Sequence, residues 1–380
     1  MSMPSTPQQT FSRADSSLLG QWWWTVDRWC LFGVLIIMGI GIILSMSASP
    51  AVANHLGLSP FYFVKRHLML LPVAIMVMVG ISLLNLKSAR NLSLVLFLLS
   101  SVLMLIAFFM GAEIKGARRW ISFLGFSLQP SEFVKPALAV LCAWMFGLQK
   151  QQPDVPGYRI ATILFVVTVV LLAIQPDFGM IVVVSGFWMV QLFMTGIPMY
   201  WVLAGMGIGA GGLISAYFIM PHVAKRIDHF LDPSAGDLYG ERYQIHRSLE
   251  AFTSGGWTGL GPGEGDVKKY IPDVHADFIF AVAREEFGLL FCWLTVGLFA
   301  FVVIRCLMRM RQFNSIFLMI ATAGLISQFG FQTLINIAST LRLIPTKGMT
   351  LPFISYGGSS LLSSAITMGL VLCFTRRRVR

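Results

Sequence analysis

The stretch IPDVHADFIFAVAREEFG, residues 271–288, places acidic and basic residues within an apolar run. The chain is 56% hydrophobic and only 12% charged, so this concentration of charge is unusual in it. Asp277 lies where a polar segment meets the apolar run, with Phe278 and Phe280 beside it. Burial raises the basicity of a carboxylate, so Asp277 suits a general base. The alternative is an aspartate at a helix start, stabilised by the helix dipole.

Three further charged residues follow Asp277 in the same stretch. In a helix that begins at Asp277, Arg284 lies on the same face about 10 Å deeper. Glu285 and Glu286 lie deeper again. The position of Arg284 in the sequence does not indicate what this residue does.

A second group of residues with chemical potential is QPSEFVK, residues 129–135. Ser131 is predicted to cap a helix, and Glu132 suits the positive end of that helix, whereas Lys135 does not. The lysine therefore needs a partner, which is either Glu132 or an anionic ligand. An intrahelical pair is worth only about 0.2–0.5 kcal/mol. Ionisable residues in a membrane span are costly and usually functional, which favours a binding role.

Cations and glycines mark three other segments. Lys115, Arg118 and Arg119 are suited to phosphate, since arginine matches phosphate geometry; the alternative is an ordinary interfacial belt. The Gly-rich segment 255–265 lacks the Lys-Ser/Thr of a phosphate-binding loop and is predicted to be mobile, with backbone N–H groups available to a ligand. The segment SYGGSS, 355–360, allows close helix packing or backbone contact with a substrate.

The elements that position these residues are membrane spans. Mean hydropathy is +0.75, and apolar residues are gathered in blocks of about 18–25, the length at which a helix crosses hydrocarbon. Because every backbone group in lipid needs a partner inside the protein, these blocks predict an all-α polytopic membrane protein. Ten transmembrane helices are expected, at residues 30–49, 68–86, 91–111, 131–148, 159–175, 178–196, 199–220, 276–305, 315–340 and 350–374.

Ten spans place both termini on one side. Leaving out the long loop, 13 Lys and Arg lie on that side and 7 on the other, so the terminal side is predicted to be cytoplasmic. The first span is interpreted as an uncleaved anchor. The predicted organisation is a cytoplasmic N-terminal segment at 1–29, a ten-helix membrane domain at 30–375 with a large extracytoplasmic loop at 221–275 between helices 7 and 8, and a basic cytoplasmic tail at 376–380.

The unusual polar segments share the extracytoplasmic side. All six histidines lie there, with 11 of the 17 acidic residues between positions 228 and 286. Antiparallel spans bring alternate loops to one rim, so four segments converge, at 115–135, 175–179, 221–275 and 343–360. This convergence predicts one site at that rim.

Several classes of ligand are disfavoured. The net charge of +11 is spread over loops on both faces, so no nucleic acid is expected, and an anionic substrate and the membrane explain the charge better. None of the five cysteines lies in an outer loop or a CxxC pattern, so no extracytoplasmic disulfide or cysteine metal site is predicted. The histidines lack HxH or HExxH spacing, so no zinc site is predicted either. No cofactor is evident except a divalent cation, Mg²⁺ or Mn²⁺, acting with the substrate.

Taken together, the motifs resemble the SEDS family (shape, elongation, division and sporulation) of polytopic peptidoglycan glycosyltransferases. The resemblance extends over all ten spans. It is carried by GARRWI, QPSEFVKPAL, QPDFG, DHFLDP, GERYQIHRSLEAFTSGGWTGLGPGEG, PDVHADFIFAVAREEFG and KGMTLPFISYGGSS. The run PTKGMTLPFISYGGSS is more similar to division-type than to elongation-type members.

The resemblance implies an enzyme that polymerises lipid II into glycan strands on the outer face of the inner membrane. Asp277 falls on the aspartate regarded as catalytic in the family, and Glu132 and Lys135 fall on its Glu/Lys pair. Ala276 replaces the usual Thr, and Arg284 stands where Gly or Ala is common. The charge environment of Asp277 is therefore not assumed to be typical of the family.

The expected reaction is inverting β-1,4 glycosyl transfer with undecaprenyl diphosphate as the leaving group. Asp277 would deprotonate the acceptor 4-hydroxyl, and cationic groups would stabilise the departing diphosphate. The candidate substrate-binding residues are Glu132, Lys135, Arg118, Arg119, Lys115, Lys268, Lys269, His275 and Ser359.

The resemblance also implies a class B penicillin-binding transpeptidase as partner, together with other division proteins at the septum. Two alternatives remain, a lipid II flippase and an elongation-type polymerase. A non-catalytic scaffold for the transpeptidase would leave the costly placement of Asp277 and Lys135 unexplained.

Overall fold

The computed structural model describes residues 17–114, 117–123, 126–231, 250, 252–271, 273–345 and 348–377. Within these ranges nine helices are long and apolar enough to cross a membrane, and Phe178–Met194 is a shorter apolar helix. Each of the ten predicted spans corresponds to one of these helices. The predicted all-α polytopic membrane fold is thereby confirmed.

The helices in chain order are α1 (Leu18–Thr25), α2 (Arg28–His55), α3 (Tyr62–Ser82), α4 (Leu86–Met110), α5 (Pro130–Gln151), α6 (Gly157–Ile174), α7 (Phe178–Met194), α8 (Met199–Ile219), α9 (Pro221–Leu231), α10 (Ile279–Met310), α11 (Ile316–Thr340) and α12 (Gly358–Thr375). A short 3₁₀ helix occupies Val267–Tyr270. Among the spans, α5 and α12 are the most buried and α8 is the most exposed. The predicted site segments 115–135 and 343–360 lead into α5 and α12, so they are attached to the centre of the bundle.

The first and last described segments of the chain meet at one end of the bundle. The Arg377 N–H donates to the Thr25 carbonyl (2.9 Å), which agrees with an even number of spans. Nearby, buried Asp27 pairs with Arg305 (3.0 Å) and Arg309 (3.5 Å) and so connects α2 to the last turns of α10. We call this the terminal end, and the opposite one the far end.

A small sheet at the far end was not predicted. Strands β1 (Ala112–Ile114), β2 (Ala117–Phe123) and β3 (Phe126–Leu128) form an antiparallel sheet in that order. The prediction that Ser131 caps α5 is wrong, because the N-cap is Gln129 and Pro130 is the first helical residue. Proline suits that position because the N–H it lacks would have no intrahelical partner there.

Helix α10 is interrupted at Gly288, where φ is +80°. The carbonyls of Glu285 and Glu286 are consequently released from helical bonding, and they accept from the N–H groups of Leu260 and Gly261 (both 3.0 Å). Backbone groups at membrane depth need such partners. The prediction that the Gly-rich segment offers its N–H groups to a ligand is wrong at Leu260 and Gly261, since α10 uses them.

The last span is shorter than predicted. Residues 349–357 form irregular structure with a turn at 352–354 rather than helix, Phe353 has φ +64°, and α12 begins only at Gly358. This segment lies against Gly41 of α2, where an added methyl group would be 2.4 Å from the Phe353 carbonyl oxygen and 3.0 Å from Ile354 Cα. The close approach of two backbones therefore requires a glycine at position 41.

We expect Gly41→Ala to lower the melting temperature of the purified protein in detergent. The matched control is Gly39→Ala, because Gly39 lies in the same helix and an added methyl group there meets nothing within 4 Å. Alanine favours helix over glycine by about 1 kcal/mol, so the control should be at least as stable as the wild type. Equal melting temperatures for the two variants would contradict the close approach.

Candidate active site

Asp277 lies in the turn that precedes α10, not at the start of the helix as predicted. Its N–H donates to the Asp273 carbonyl (3.0 Å), and α10 begins two residues later with Phe278 as N-cap. The carboxylate faces the segment before α12, since a methyl group added at Gly348 would lie 2.7 Å from Asp277 Oδ2. Asp277 is partly exposed, so it is accessible from the far end.

Two carboxamides of α11 support this arrangement, and the sequence analysis did not identify them. Asn336 Nδ2 donates to the carbonyl oxygens of Asp277 (3.1 Å) and Met349 (2.5 Å). Gln332, one turn earlier, donates from Nε2 to the Thr350 carbonyl (3.1 Å). Their spacing of four residues places both on one helix face. That spacing was the available signal, together with the cost of placing amides in a span.

Glu132 and Lys135 form the predicted pair in the first turns of α5. Lys135 Nζ lies 2.9 Å from Glu132 Oε2, and both side chains are almost fully buried. Lys135 Nζ also donates to Gln332 Oε1 (2.8 Å). The structure therefore connects Lys135 to the Asp277 region through Gln332, while contact of this lysine with substrate stays a prediction.

Ser359 and His275 position backbone at the far end. Ser359 Oγ accepts from the Gln129 N–H (2.9 Å), which connects α12 to the start of α5. The His275 ring packs on Phe63, with centroids 4.3 Å apart. The His275 carbonyl accepts from the Tyr356 N–H (2.9 Å). Substrate contact by Ser359 or His275 stays a prediction.

The basic residues of the small sheet differ in their surroundings. Arg119 donates to the carbonyls of Gln175 (2.7 Å) and Pro176 (2.6 Å) and pairs with Asp177 (3.5 Å), so it joins β2 to the QPDFG segment. Arg118 is exposed and pairs with Glu113 (3.5 Å). Lys115 lies outside the described residues.

Lys268 and Lys269 are adjacent in sequence but differ in environment. Lys268 is buried, and its ammonium pairs with Glu286. Lys269 is exposed and pairs with Asp266 (2.6 Å). This hydrogen bond raises the pKa of Lys269 and lowers that of Asp266. Lys269 is thus a fully charged cation at the surface of the far end.

Glu285 and Glu286, near the end of the stretch 271–288, are buried and bind the loop that precedes α10. Glu285 accepts from the N–H groups of Val267 (2.8 Å) and Lys268 (3.0 Å). Glu286 accepts from the Gly263 N–H (2.9 Å) and from the Ser47 hydroxyl of α2. These carboxylates satisfy loop N–H groups, and they are not positioned beside Asp277 by any described contact.

Arg284, whose role the sequence left open, also contacts this loop. Its guanidinium donates to the Gly256 carbonyl and lies 5.5 Å from the centroid of the Phe252 ring. The expectation that Arg284 and Asp277 share a helix face is wrong, because Asp277 precedes the helix. Arg284 therefore has one structural partner within the Gly-rich segment, Gly256, and one just before it, Phe252.

The described residues include no group of three or more His, Cys, Asp or Glu placed to hold a metal ion. Magnesium commonly uses only one or two protein carboxylates together with substrate phosphates. The residues therefore offer no protein cage, and any divalent cation would depend on the oxygens of the substrate.

Comparison with known proteins identifies the family. The sequence matches the FtsW, RodA and SpoVE family, described as "Cell cycle protein", over residues 28–379. The chain belongs to this family. The SEDS resemblance inferred from the motifs is thereby confirmed over essentially the whole membrane domain.

Family members of two bacteria show the extent of the similarity. The chain is 43% identical over 377 residues to "Probable peptidoglycan glycosyltransferase FtsW" of Caulobacter vibrioides, covering 99% of this chain and 96% of that protein. It is 34% identical to the protein of the same name from Coxiella burnetii, with 92% and 96% covered.

Solved structures of the family have the same fold. One, described under "Structural coordination of polymerization and crosslinking by a peptidoglycan synthase complex", matches with a TM-score of 0.77 and 25% identity, covering 92% of this chain and 97% of that chain. The rod shape determining protein RodA of Thermus thermophilus matches with a TM-score of 0.67 and 24% identity, covering 93% and 97%.

The buried pair in α5 gives a test of how the family site is held together. Lys135→Met should leave the Glu132 carboxylate buried without its cation, which lowers stability by about 3–5 kcal/mol in comparable cases. We expect a clearly lower melting temperature in detergent. Glu132→Gln combined with Lys135→Met should recover part of this loss, because no unpaired charge remains. A double variant as unstable as Lys135→Met would contradict the interpretation.

Proposed function

We propose that this chain is a peptidoglycan glycosyltransferase of the division type that polymerises lipid II into glycan strands. Its similarity to proteins named for that activity supports the proposal. The structural observation that carries it is the placement of Asp277, a partly exposed carboxylate against Gly348 at the far end. A carboxylate so placed is accessible to a hydroxyl group of a substrate at the membrane surface.

In the proposed step Asp277 accepts the proton of the acceptor 4-hydroxyl. The hydroxyl oxygen attacks the anomeric carbon of the donor as the bond from that carbon to the diphosphate breaks. The products are a β-1,4 linked chain and undecaprenyl diphosphate, with inversion at the anomeric carbon. General-base catalysis of this kind contributes roughly 10²–10⁴-fold.

The developing charge on the diphosphate needs cations at the same rim. Lys135, Arg119 and Lys268 are each engaged within the protein in the described structure. Arg118 and Lys269 are also paired, with Glu113 and Asp266, but their side chains are about half exposed, at 50% and 55%. We therefore assign direct contact with the diphosphate first to these two, with Lys135 acting on the site through Gln332.

We further propose that a divalent cation, Mg²⁺ or Mn²⁺, assists by binding the substrate diphosphate. No step above depends on it. Removal of divalent cations with EDTA should reduce the synthesis of glycan from lipid II, and re-addition of either metal should restore it. Synthesis that is unaffected by EDTA would remove the cation from the proposal.

The proposed setting is the bacterial inner membrane at the division septum, with both termini cytoplasmic and the far end periplasmic. The proposed partners are a class B penicillin-binding transpeptidase and other division proteins. A related solved structure concerns a peptidoglycan synthase complex that coordinates polymerization and crosslinking, which supports a partner of this kind. An elongation-type role differs in partner and location rather than in chemistry.

Asp277→Asn tests the catalytic assignment. The purified variant, with its transpeptidase, should bind lipid II as the wild type does but make no detectable glycan on a gel of labelled product. The matched control is Asp273→Asn, which removes the same charge in the same turn and keeps the carbonyl that accepts from Asp277. Asparagine also tolerates the positive φ of +52° at position 273. Normal glycan from Asp277→Asn would refute the assignment.

The same assay separates the enzyme from a lipid II flippase. A flippase needs a polar path through the bilayer, and α11 does carry a buried carboxamide row at Gln328, Gln332 and Asn336. A protein in detergent has no bilayer to cross. Polymer formed there from lipid II is thus expected for the transferase and is not explained by transport.

A further inference from the structure

Asn336 connects the two backbone segments that flank the Asp277 carboxylate. It is 1% exposed, and its Nδ2 reaches the carbonyls of Asp277 (3.1 Å) and Met349 (2.5 Å). Met349 follows Gly348, the residue against which the carboxylate of Asp277 lies. One amide group thus contacts both segments.

The chemistry of these contacts specifies an amide. Each neighbour is a carbonyl, which only accepts hydrogen bonds, so the side chain must present two N–H donors at one atom. A carboxamide nitrogen supplies two. Aspartate has nearly the same shape but, when ionised, only accepts, so at this position it would repel both carbonyls.

From this geometry we propose that Asn336 is a positioning residue for the glycosyl transfer. It fixes the distance between the Asp277 turn and the segment that follows Gly348, and it acts through them without touching the substrate. This inference rests on the proposed function insofar as Asp277 is the base. The arrangement also explains why a buried amide is retained in a span, where polar groups are costly.

Gln332, one turn before Asn336, holds the same segment before α12. It holds Thr350, the residue after Met349, and Lys135 in turn donates to Gln332. Among the described hydrogen bonds of α11, however, the one that reaches Asp277 comes from Asn336. Within the described hydrogen bonds, α11 therefore supports the segment through Gln332 and Asn336, and Asn336 also reaches Asp277.

The test compares Asn336→Asp and Asn336→Ala with a matched control, Thr333→Val. Thr333 is a buried residue of the same helix whose hydroxyl donates within α11, to the Phe329 carbonyl (2.9 Å). Hydrogen–deuterium exchange of the full chain in detergent reports on position without requiring activity. The informative amides are those of Asp277 and Leu351, which donate to Asp273 O and to Ser355 Oγ respectively.

We expect both Asn336 variants to exchange faster at residues 273–278 and 348–351, with α2 and α5 unchanged. With lipid II, their kcat should fall about 100-fold, as expected for a misplacement near 1 Å. Their KM should stay within about twofold, because substrate contacts are intact. Thr333→Val should match the wild type in both measurements. Unchanged exchange in the two segments, or faster exchange with wild-type kcat, would overturn the proposal.

The design separates this inference from the proposed function. If the wild type makes no glycan from lipid II, the proposed function fails, while the exchange data still decide whether Asn336 fixes the Asp277 turn. If Asn336→Asp does not fold, Asn336→Ser replaces it, since serine is small and uncharged and cannot reach both carbonyls. Wild-type exchange and kcat in Asn336→Ser would also overturn the proposal.

Discussion

Every polar group within the hydrocarbon region must be satisfied by the protein itself, and the architecture of the far end follows from this constraint. Helix α10 is interrupted at Gly288, and the loop that precedes it supplies the missing donors. The carbonyls and side chains of Glu285 and Glu286 together accept from backbone N–H groups between Leu260 and Lys268. The charges that looked out of place in an apolar run thereby fold the loop onto the helix.

This arrangement divides the charged residues of the far end into two kinds. Buried groups such as Glu286 and Lys135 are paired and hold elements together. Removing one member of such a pair lowers the stability of the protein by more than the pair itself contributes, because a buried charge is left unpaired. Asp277 differs in exposure, because its carbonyl is held by Asn336 and its side chain is partly exposed. A rigid frame around an accessible carboxylate is what a preorganised site requires.

Sequence reasoning was reliable where the solvent imposes the pattern. The spans follow from hydropathy because lipid demands about 20 apolar residues per crossing. The start of α10 was placed at Asp277 rather than Ile279, since apolar residues continue on both sides of the true boundary. Gln332 and Asn336 were missed because a neutral amide shows its purpose only when its partners, distant in the chain, are known. The strands around Arg119 were also missed, because strands of three to seven residues are too short to give a clear periodic pattern.

The interruption of α10 also bears on how the protein is made. Residues 255–268 precede α10 in the chain, so they emerge from the ribosome before the helix whose carbonyls they satisfy. The donors are therefore already synthesised when the break at Gly288 enters the membrane. A helix broken in this way never has to wait in lipid for a partner encoded downstream. The order of segments along the chain thus provides hydrogen-bond donors for the interrupted helix during assembly.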